Sequence, residues 1–139
     1  MRVKLYSNGY TKIYEDGTNI STIGSYENDK EVQEFLANGG VIEPEFTEAE
    51  LKAQIKFSLE QAVQSYLDNE ARSLGYDSIL SACTYATSSI EKFAAEGQSF
   101  VIFRDNVWSY CYQVLADVEA EIRAAPTEAE LLAELPTRI

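Results

Sequence analysis

The sequence predicts an α+β fold that is mainly α: a small N-terminal antiparallel β-meander followed by a long antiparallel helical hairpin with short flanking helices. Three observations carry this. Two Xaa-Gly pairs, Asn8-Gly9 and Asp16-Gly17, punctuate a start rich in Val, Ile, Tyr and Thr. A capping-box signature at Thr47 opens a long apolar repeat of helical period with no proline inside it. A second such repeat runs from about Ile90 towards Pro126. The expected organisation is a meander module at 1–27, a short helix and linker at 28–46, and the hairpin with its terminal helix at 47–139, together one compact domain.

In chain order, the meander strands fall at about 2–7, 10–15 and 18–23. Two-residue turns at the glycine pairs place Val3 opposite Tyr14 and Ile13 opposite Ile20. These pairs lie on opposite faces, so neither face is cleanly polar. Such a sheet needs cover on both sides, from its own helices or from a partner. Residues 28–40 read as a short helix with Asn28 as N-cap, Val32, Phe35 and Leu36 on the apolar face, and Gly39 at the stop. The segment 41–46 is extended, because Glu43 precedes a proline.

Thr47 and Glu50 can cap each other's end of the long helix, predicted at 48–73 and about 39 Å long. Leu51, Ile55, Leu59, Ala62 or Val63, and Tyr66 or Leu67 recur at helical spacing as its inward face. Gly75 ends it. Asp77 is the expected N-cap of a short helix in which Ile79, Leu80, Cys83 and Tyr85 face inward. The next repeat includes Phe93, Phe100, Val107, Trp108, Cys111, Val114, Leu115 and Ile122. Gly97 weakens it locally or marks a break between two helices. Pro126 terminates it. A second Thr-Glu-Ala-Glu-Leu box at 127–131 starts a terminal helix at about 128–134. The structural core is expected at Tyr85, Phe100, Val107, Trp108, Cys111 and Leu115.

Composition narrows the function. The 139 residues are 45% hydrophobic and 24% charged, ordinary for a globular chain, but the net charge is −12. That charge opposes nucleic-acid and anionic-membrane binding and favours basic partners, or mimicry of a nucleic acid. No stretch has the length of a signal peptide's apolar run or of a membrane span. The chain has no histidine, which removes the usual general base, the commonest zinc ligand and every Ser–His or Cys–His pair.

Residues 74–89, LGYDSILSACTYATSS, crowd a thiol, two phenols and six hydroxyls around Asp77. A Cys83 or Ser81 nucleophile there needs a base or a positive neighbour, and only Arg72 and Lys92 are near in sequence. The expectation is a tight corner whose hydroxyls cap helix ends. Arg104, Asp105, Trp108, Tyr110 and Tyr112 fit a stacking pocket less well than a core helix with one tyrosine turned outward. Glu43, Glu45, Glu48 and Glu50 favour the positive end of a helix dipole rather than paired-carboxylate catalysis. No calcium loop or phosphate loop is present. No catalytic residue, metal or cofactor is expected. Tyr6, Tyr10 and Tyr14, with Ile20, are the candidate protein-binding residues, on a short sheet with open edges.

Two blocks carry a family resemblance. EVQEFLANGGVIEPEFT, at 31–47, is similar to the short helix and linker of small bacteriophage tail proteins. Residues 75–136 resemble the C-terminal segment of phage tail-fibre assembly proteins. The matching pattern is Gly-Tyr-Asp-Ser-Ile at 75–79, Phe-Ala-Ala-Glu-Gly-Gln at 93–98 and Arg-Asp-Asn-Val-Trp at 104–108. The resemblance covers about half the chain and leaves the meander unplaced. It implies a non-enzymatic chaperone or accessory protein that binds a tail-fibre or tail-tip chain and aids its folding or trimerisation. Such a protein acts in the host cytoplasm during phage assembly, or stays on the virion tail, and a homo-oligomer is compatible with the role. The alternatives are a permanent component of the tail tip or baseplate, and an acidic, nucleic-acid-mimicking inhibitor of a host defence enzyme.

Overall fold

The computed structural model describes all of residues 1–139. The chain forms two compact units, Met1–Ala53 and Gln54–Ile139. The division falls inside the first long helix, whereas the sequence suggested boundaries at 27/28 and 46/47.

In the first unit, β1 (Arg2–Tyr6), β2 (Gly9–Ile13) and β3 (Asn19–Ile23) form the expected meander, and α1 (Lys30–Ala37) follows. A fourth strand, β4 (Ile42–Glu43), pairs in parallel with β1, so the sheet order is β3-β2-β1-β4. The linker read as merely extended is thus part of the sheet, and only β3 keeps an open edge on the meander.

The registers differ from those predicted. Val3 faces Lys12 rather than Tyr14, because the first turn uses Ser7 and Asn8, and Gly9 is already in the strand. Gly9 is needed there: a Cβ would sit 2.0 Å from the Thr22 carbonyl oxygen of the neighbouring strand. This shift of two residues preserves the faces. The second connection is a three-residue loop, 15–17, closed by the Tyr14 N–H on the Thr18 carbonyl at 2.9 Å, with Gly17 at φ +88°. Ile13 therefore faces Asn19, and Ile20 faces Lys12. That slip of one residue turns β3 over relative to the prediction. Ile20 now shares a face with Val3, Leu5, Tyr10 and Lys12, while Ile23 shares the other with Tyr6 and Ile13.

α1 covers the first of these faces. Val3, Tyr10 and Val32 are buried together, with Met1, Leu5, Tyr26, Phe35, Leu36 and Ile42 packed around them. Asp29, not Asn28, is the N-cap: its Oδ1 accepts from the N–H groups of Glu31 and Val32 at 3.0 and 3.2 Å. Gly39, at φ +88°, closes the helix. Its N–H donates to the Leu36 carbonyl, and the Gly40 N–H donates to that of Phe35.

The long helices appear at α2 (Glu48–Ser73) and α4 (Glu91–Glu119), with α3 (Ile79–Thr84) and a 3-10 turn (Tyr85–Thr87) between them and α5 (Glu128–Glu134) after them. α2 and α5 have the predicted limits. Thr127 and Glu130 make both arms of a capping box; Thr47 makes the forward arm, accepting the Glu50 N–H at 3.1 Å. Leu51 and Ile55, expected on the inward face of α2, are exposed. Burial along α2 starts near Leu59.

In the second unit Val63, Leu67 and Ala71 of α2 pack with Ile79 and Ala82 of α3, with Phe100, Phe103, Val107 and Val114 of α4, and with Leu131 and Leu135. The C-terminal segment locks across them. The Pro136 carbonyl accepts the Tyr66 hydroxyl at 3.2 Å, Arg138 pairs with Glu70 at 3.2 Å, and its guanidinium lies 4.7 Å from the Phe100 ring centre.

Of the six residues predicted as core, Phe100 and Val107 are fully buried. Trp108 and Cys111 are half-buried against the core margin, and Leu115 is half-buried. Tyr85 is not core: it is 39% exposed, on the 3-10 turn, where the helical period no longer applies. Leu80, also expected inside, is exposed; Ala82 takes the inward position. Ser78 rather than Asp77 caps α3, accepting the Ser81 N–H at 3.2 Å.

α4 runs unbroken through Gly97. A Cβ there would lie 2.3 Å from the Ala86 nitrogen and 2.5 Å from the Tyr85 carbonyl carbon, so the glycine admits the backbone of the 3-10 turn. The helix ends at Glu119, well before Pro126. Glu121 takes the left-handed conformation, φ 59°, and the Ile122 N–H returns to the Asp117 carbonyl at 2.8 Å.

These contacts set an order of stabilities measurable by urea unfolding. Gly97→Ala adds a better helix former yet should destabilise by about 1–3 kcal/mol, because backbone must move. Phe100→Ala should cost about 3–5 kcal/mol and Trp108→Ala clearly less. A stabilised Gly97→Ala chain would refute the close approach.

Candidate interaction surfaces

The meander tyrosines are built into a ladder that fastens β2 to α1. The Tyr10 hydroxyl donates to Asp29 Oδ2 at 2.7 Å. Lys12 Nζ reaches Asp29 Oδ2 at 3.1 Å and Glu31 Oε2 at 2.7 Å. The Tyr14 hydroxyl donates to Glu31 Oε2 at 2.6 Å. The Tyr10 hydrogen bond, then Lys12 and the Val32 N–H, hold the Asp29 carboxyl down to about 2. Glu31 is held below its ordinary value by Lys12 and then Tyr14, and Lys12 is raised chiefly by Glu31. Tyr10, at 4% exposure, is therefore not a docking residue, and Tyr14 is half-buried with its hydroxyl engaged. Of the predicted binding residues, Tyr6 and Ile20 remain exposed.

Of the two open edges expected for the meander, β4 covers the one on β1 and β3 keeps the other. β3 is exposed at every position but Thr22, and Ile23 is 86% exposed. The Tyr14 N–H bonds to the Thr18 carbonyl and the Gly24 N–H to the Asn8 carbonyl. By the alternation of an antiparallel ladder, residues 18, 20, 22 and 24 turn their polar backbone towards β2. Asn19, Ser21 and Ile23 turn theirs outward. The opposite edge is blunted: β4 has two residues, Pro44 follows it, and Glu43 forms a two-point ion pair with Arg2 at 2.7 Å. In sequence the β3 edge shows as a five-residue run free of charge and proline, Asn-Ile-Ser-Thr-Ile.

The corner between α2 and α4 is the second surface. Three of its six hydroxyls make a helix cap or turn contacts. Ser78 caps α3, Ser88 Oγ accepts the Ile90 N–H at 3.1 Å, and the Thr84 hydroxyl donates to the Ser81 carbonyl at 2.6 Å. Asp68 Oδ1 accepts the Ile79 N–H at 2.9 Å, and the Asp77 carbonyl accepts from Arg72 at 3.0 Å. Burial pushes the Cys83 thiol up, against a smaller lowering by Arg104, and burial pushes Cys111 up as well. Both shifts run away from the reactive thiolate. The apolar side chains that the corner cannot bury point to solvent: Leu74, Leu80 (71% exposed), Tyr85, Ile90 and Phe93. Beneath them Tyr76 donates to Glu96 at 2.5 Å, which raises the phenol to about 12, and stacks on Tyr85 and Phe100.

The other candidates do not converge. Arg104 pairs with adjacent Asp105, Tyr110 and Arg123 both bind Glu134, and Tyr112 is exposed. Glu48 pairs with Lys52 one helical turn along. A groove of about 420 Å³ beside α4 is lined by Gln98, Ile102, Phe103, Asn106 and the C-terminal segment, with no ionisable side chain. No group of three His, Cys, Asp or Glu side chains is placed to hold a metal, and no helix is long and apolar enough to cross a membrane.

No family model, curated protein or solved structure matches the chain.

The Asp29 ladder makes the first unit acid-sensitive. Its folded value of about 2 lies below the ordinary 3.8, so its stabilisation is complete above pH 4 and is lost as pH falls through 2. Tyrosine fluorescence or NMR of the β2–α1 contacts should report this loss. Asp29→Asn should lower stability at neutral pH and flatten the response below pH 4.

Proposed function

We propose that the chain is a non-enzymatic accessory protein of phage tail-fibre assembly, which binds a fibre or tail-tip chain and aids its folding or trimerisation. The observation that carries the reading is the corner of the second unit, where Leu74, Leu80, Tyr85, Ile90 and Phe93 stand exposed in one short segment. Exposed apolar residues concentrated in this way fit a protein partner. The resemblance to tail-fibre assembly proteins supports the choice of partner, and its motifs include residues that shape the corner. Gly75 closes α2 at φ +91°, Ser78 caps α3, and Gly97 seats the 3-10 turn.

The net charge of −12 favours a second reading, a nucleic-acid-mimicking inhibitor that binds a basic host enzyme. A permanent place on the tail tip is a third, and it shares the fibre-side partner.

Co-expression of the neighbouring fibre gene with and without this chain, followed by measurement of soluble fibre trimer, tests the proposal. The chain should raise the trimer yield. Leu80→Asp with Ile90→Asp should abolish the gain, since both residues are already exposed and their replacement leaves the fold intact. The complex should lose little affinity at roughly 0.5 M salt, where screening reaches about 4 Å, whereas a nucleic-acid mimic should lose affinity steeply. Equal trimer yield in both co-expressions, with no complex recovered, would overturn the assembly role.

A further inference from the structure

We propose that β3 is a dimerisation strand, pairing antiparallel with β3 of a second copy about a two-fold axis at Ser21 to give a continuous eight-stranded sheet. The inference stands apart from the assembly role, since it rests on the first unit alone.

The open edge is unprotected. Sheet edges exposed to solvent are ordinarily blunted by charge, proline, a bulge or short length. The β4 edge follows this rule; β3 does not. It is five residues long, regular in its pairing with β2, uncharged and free of proline.

Its geometry is self-complementary. The outward-facing backbone groups belong to Asn19, Ser21 and Ile23, a set symmetric about Ser21. A two-fold axis there sets Ser21 against its own copy and Asn19 against Ile23 in both directions. All three outward residues then exchange both hydrogen bonds, and none is left over. Gly24, at φ +105°, turns the chain away after the strand, and the 15–17 loop does so before it, so two copies overlap over the same five residues. On the α1 face Ile20 meets Thr22, and on the other face Ile23 packs beside Asn19. Each is a cross-strand pair without charge.

Charge also selects this site for self-association. Two chains of −12 repel over most of their surface. β3 itself, Asn19–Ile23, carries no charged residue, so pairing it with its own copy sets no like charges directly opposite one another. A single strand pair buries little area, so the dimer is weak and reversible rather than obligate.

Sedimentation velocity of the full chain over a concentration series is the first test, and cysteine cross-linking at two positions is the second. The chain should shift from monomer to dimer between micromolar and millimolar concentration. Added salt should strengthen the dimer, because it screens the overall repulsion. Ser21→Cys should form an intermolecular disulfide under mild oxidation, since the paired Cα atoms would be about 5.5 Å apart. Asn19→Cys should not, its own copy being about 13 Å away along the strand. Ser21→Lys and Ser21→Asp should each weaken the dimer about fivefold or more, because either sign faces itself; circular dichroism confirms that each variant is folded. A chain monomeric throughout the series overturns the proposal. So does a dimer that cross-links at residue 19 but not 21, that tolerates both charges at 21, or that dissociates in salt.

Discussion

The second unit depends on one close approach, the backbone of Tyr85 and Ala86 against Gly97. With the turn seated there, Tyr76 reaches both Glu96 and the edge of Phe100, and Ala82 fills the inward position beside the helices. Along the same segment Ile79 and Ala82 face inward, while Leu80 and Tyr85 are left exposed.

The first unit meets the complementary constraint. One helix of eight residues can cover only one face of a small sheet. The Tyr10–Asp29–Lys12–Glu31–Tyr14 ladder commits α1 to the face bearing Val3 and Tyr10, at the cost of leaving Tyr6, Ile13 and Ile23 on the other. β4 covers one edge with two residues and leaves β3 bare. Both units therefore finish with an uncovered surface, and in neither are titratable groups gathered into a cleft. What is left uncovered is a strand edge on one unit and apolar side chains on the other.

Features set by local chemistry were legible in the sequence. The limits of α2 and α5 follow from Thr-x-x-Glu boxes and from Gly75, whose effects act within one helical turn. Phe100 and Val107 were legible from helical period; among the hydroxyls at 78–89, expected to cap helix ends, Ser78 alone does so, in the place expected for Asp77. Features set by distant contacts were not. Gly9 lies not in the first turn but inside β2, where a Cβ would meet the Thr22 carbonyl of the neighbouring strand, a contact that joins residues thirteen apart. The role of Tyr10 is not legible, because a phenol on a short sheet looks the same in sequence whether its partner is foreign or is Asp29. Gly97 reads as a weak point in a helix until the turn packed against it is seen. The pairing of β4 with β1 joins segments some forty residues apart, beyond the reach of pattern.

The closure at Gly97 is most directly tested by nuclear Overhauser spectroscopy on the intact chain. The account predicts a strong cross-peak between a Gly97 Hα proton and the Ala86 amide proton, together with an uninterrupted helical pattern of sequential contacts from residue 91 to 119. Absence of that cross-peak, with a break in the helical pattern at Gly97, would mean that two separate helices stand where one does, and would contradict the close approach.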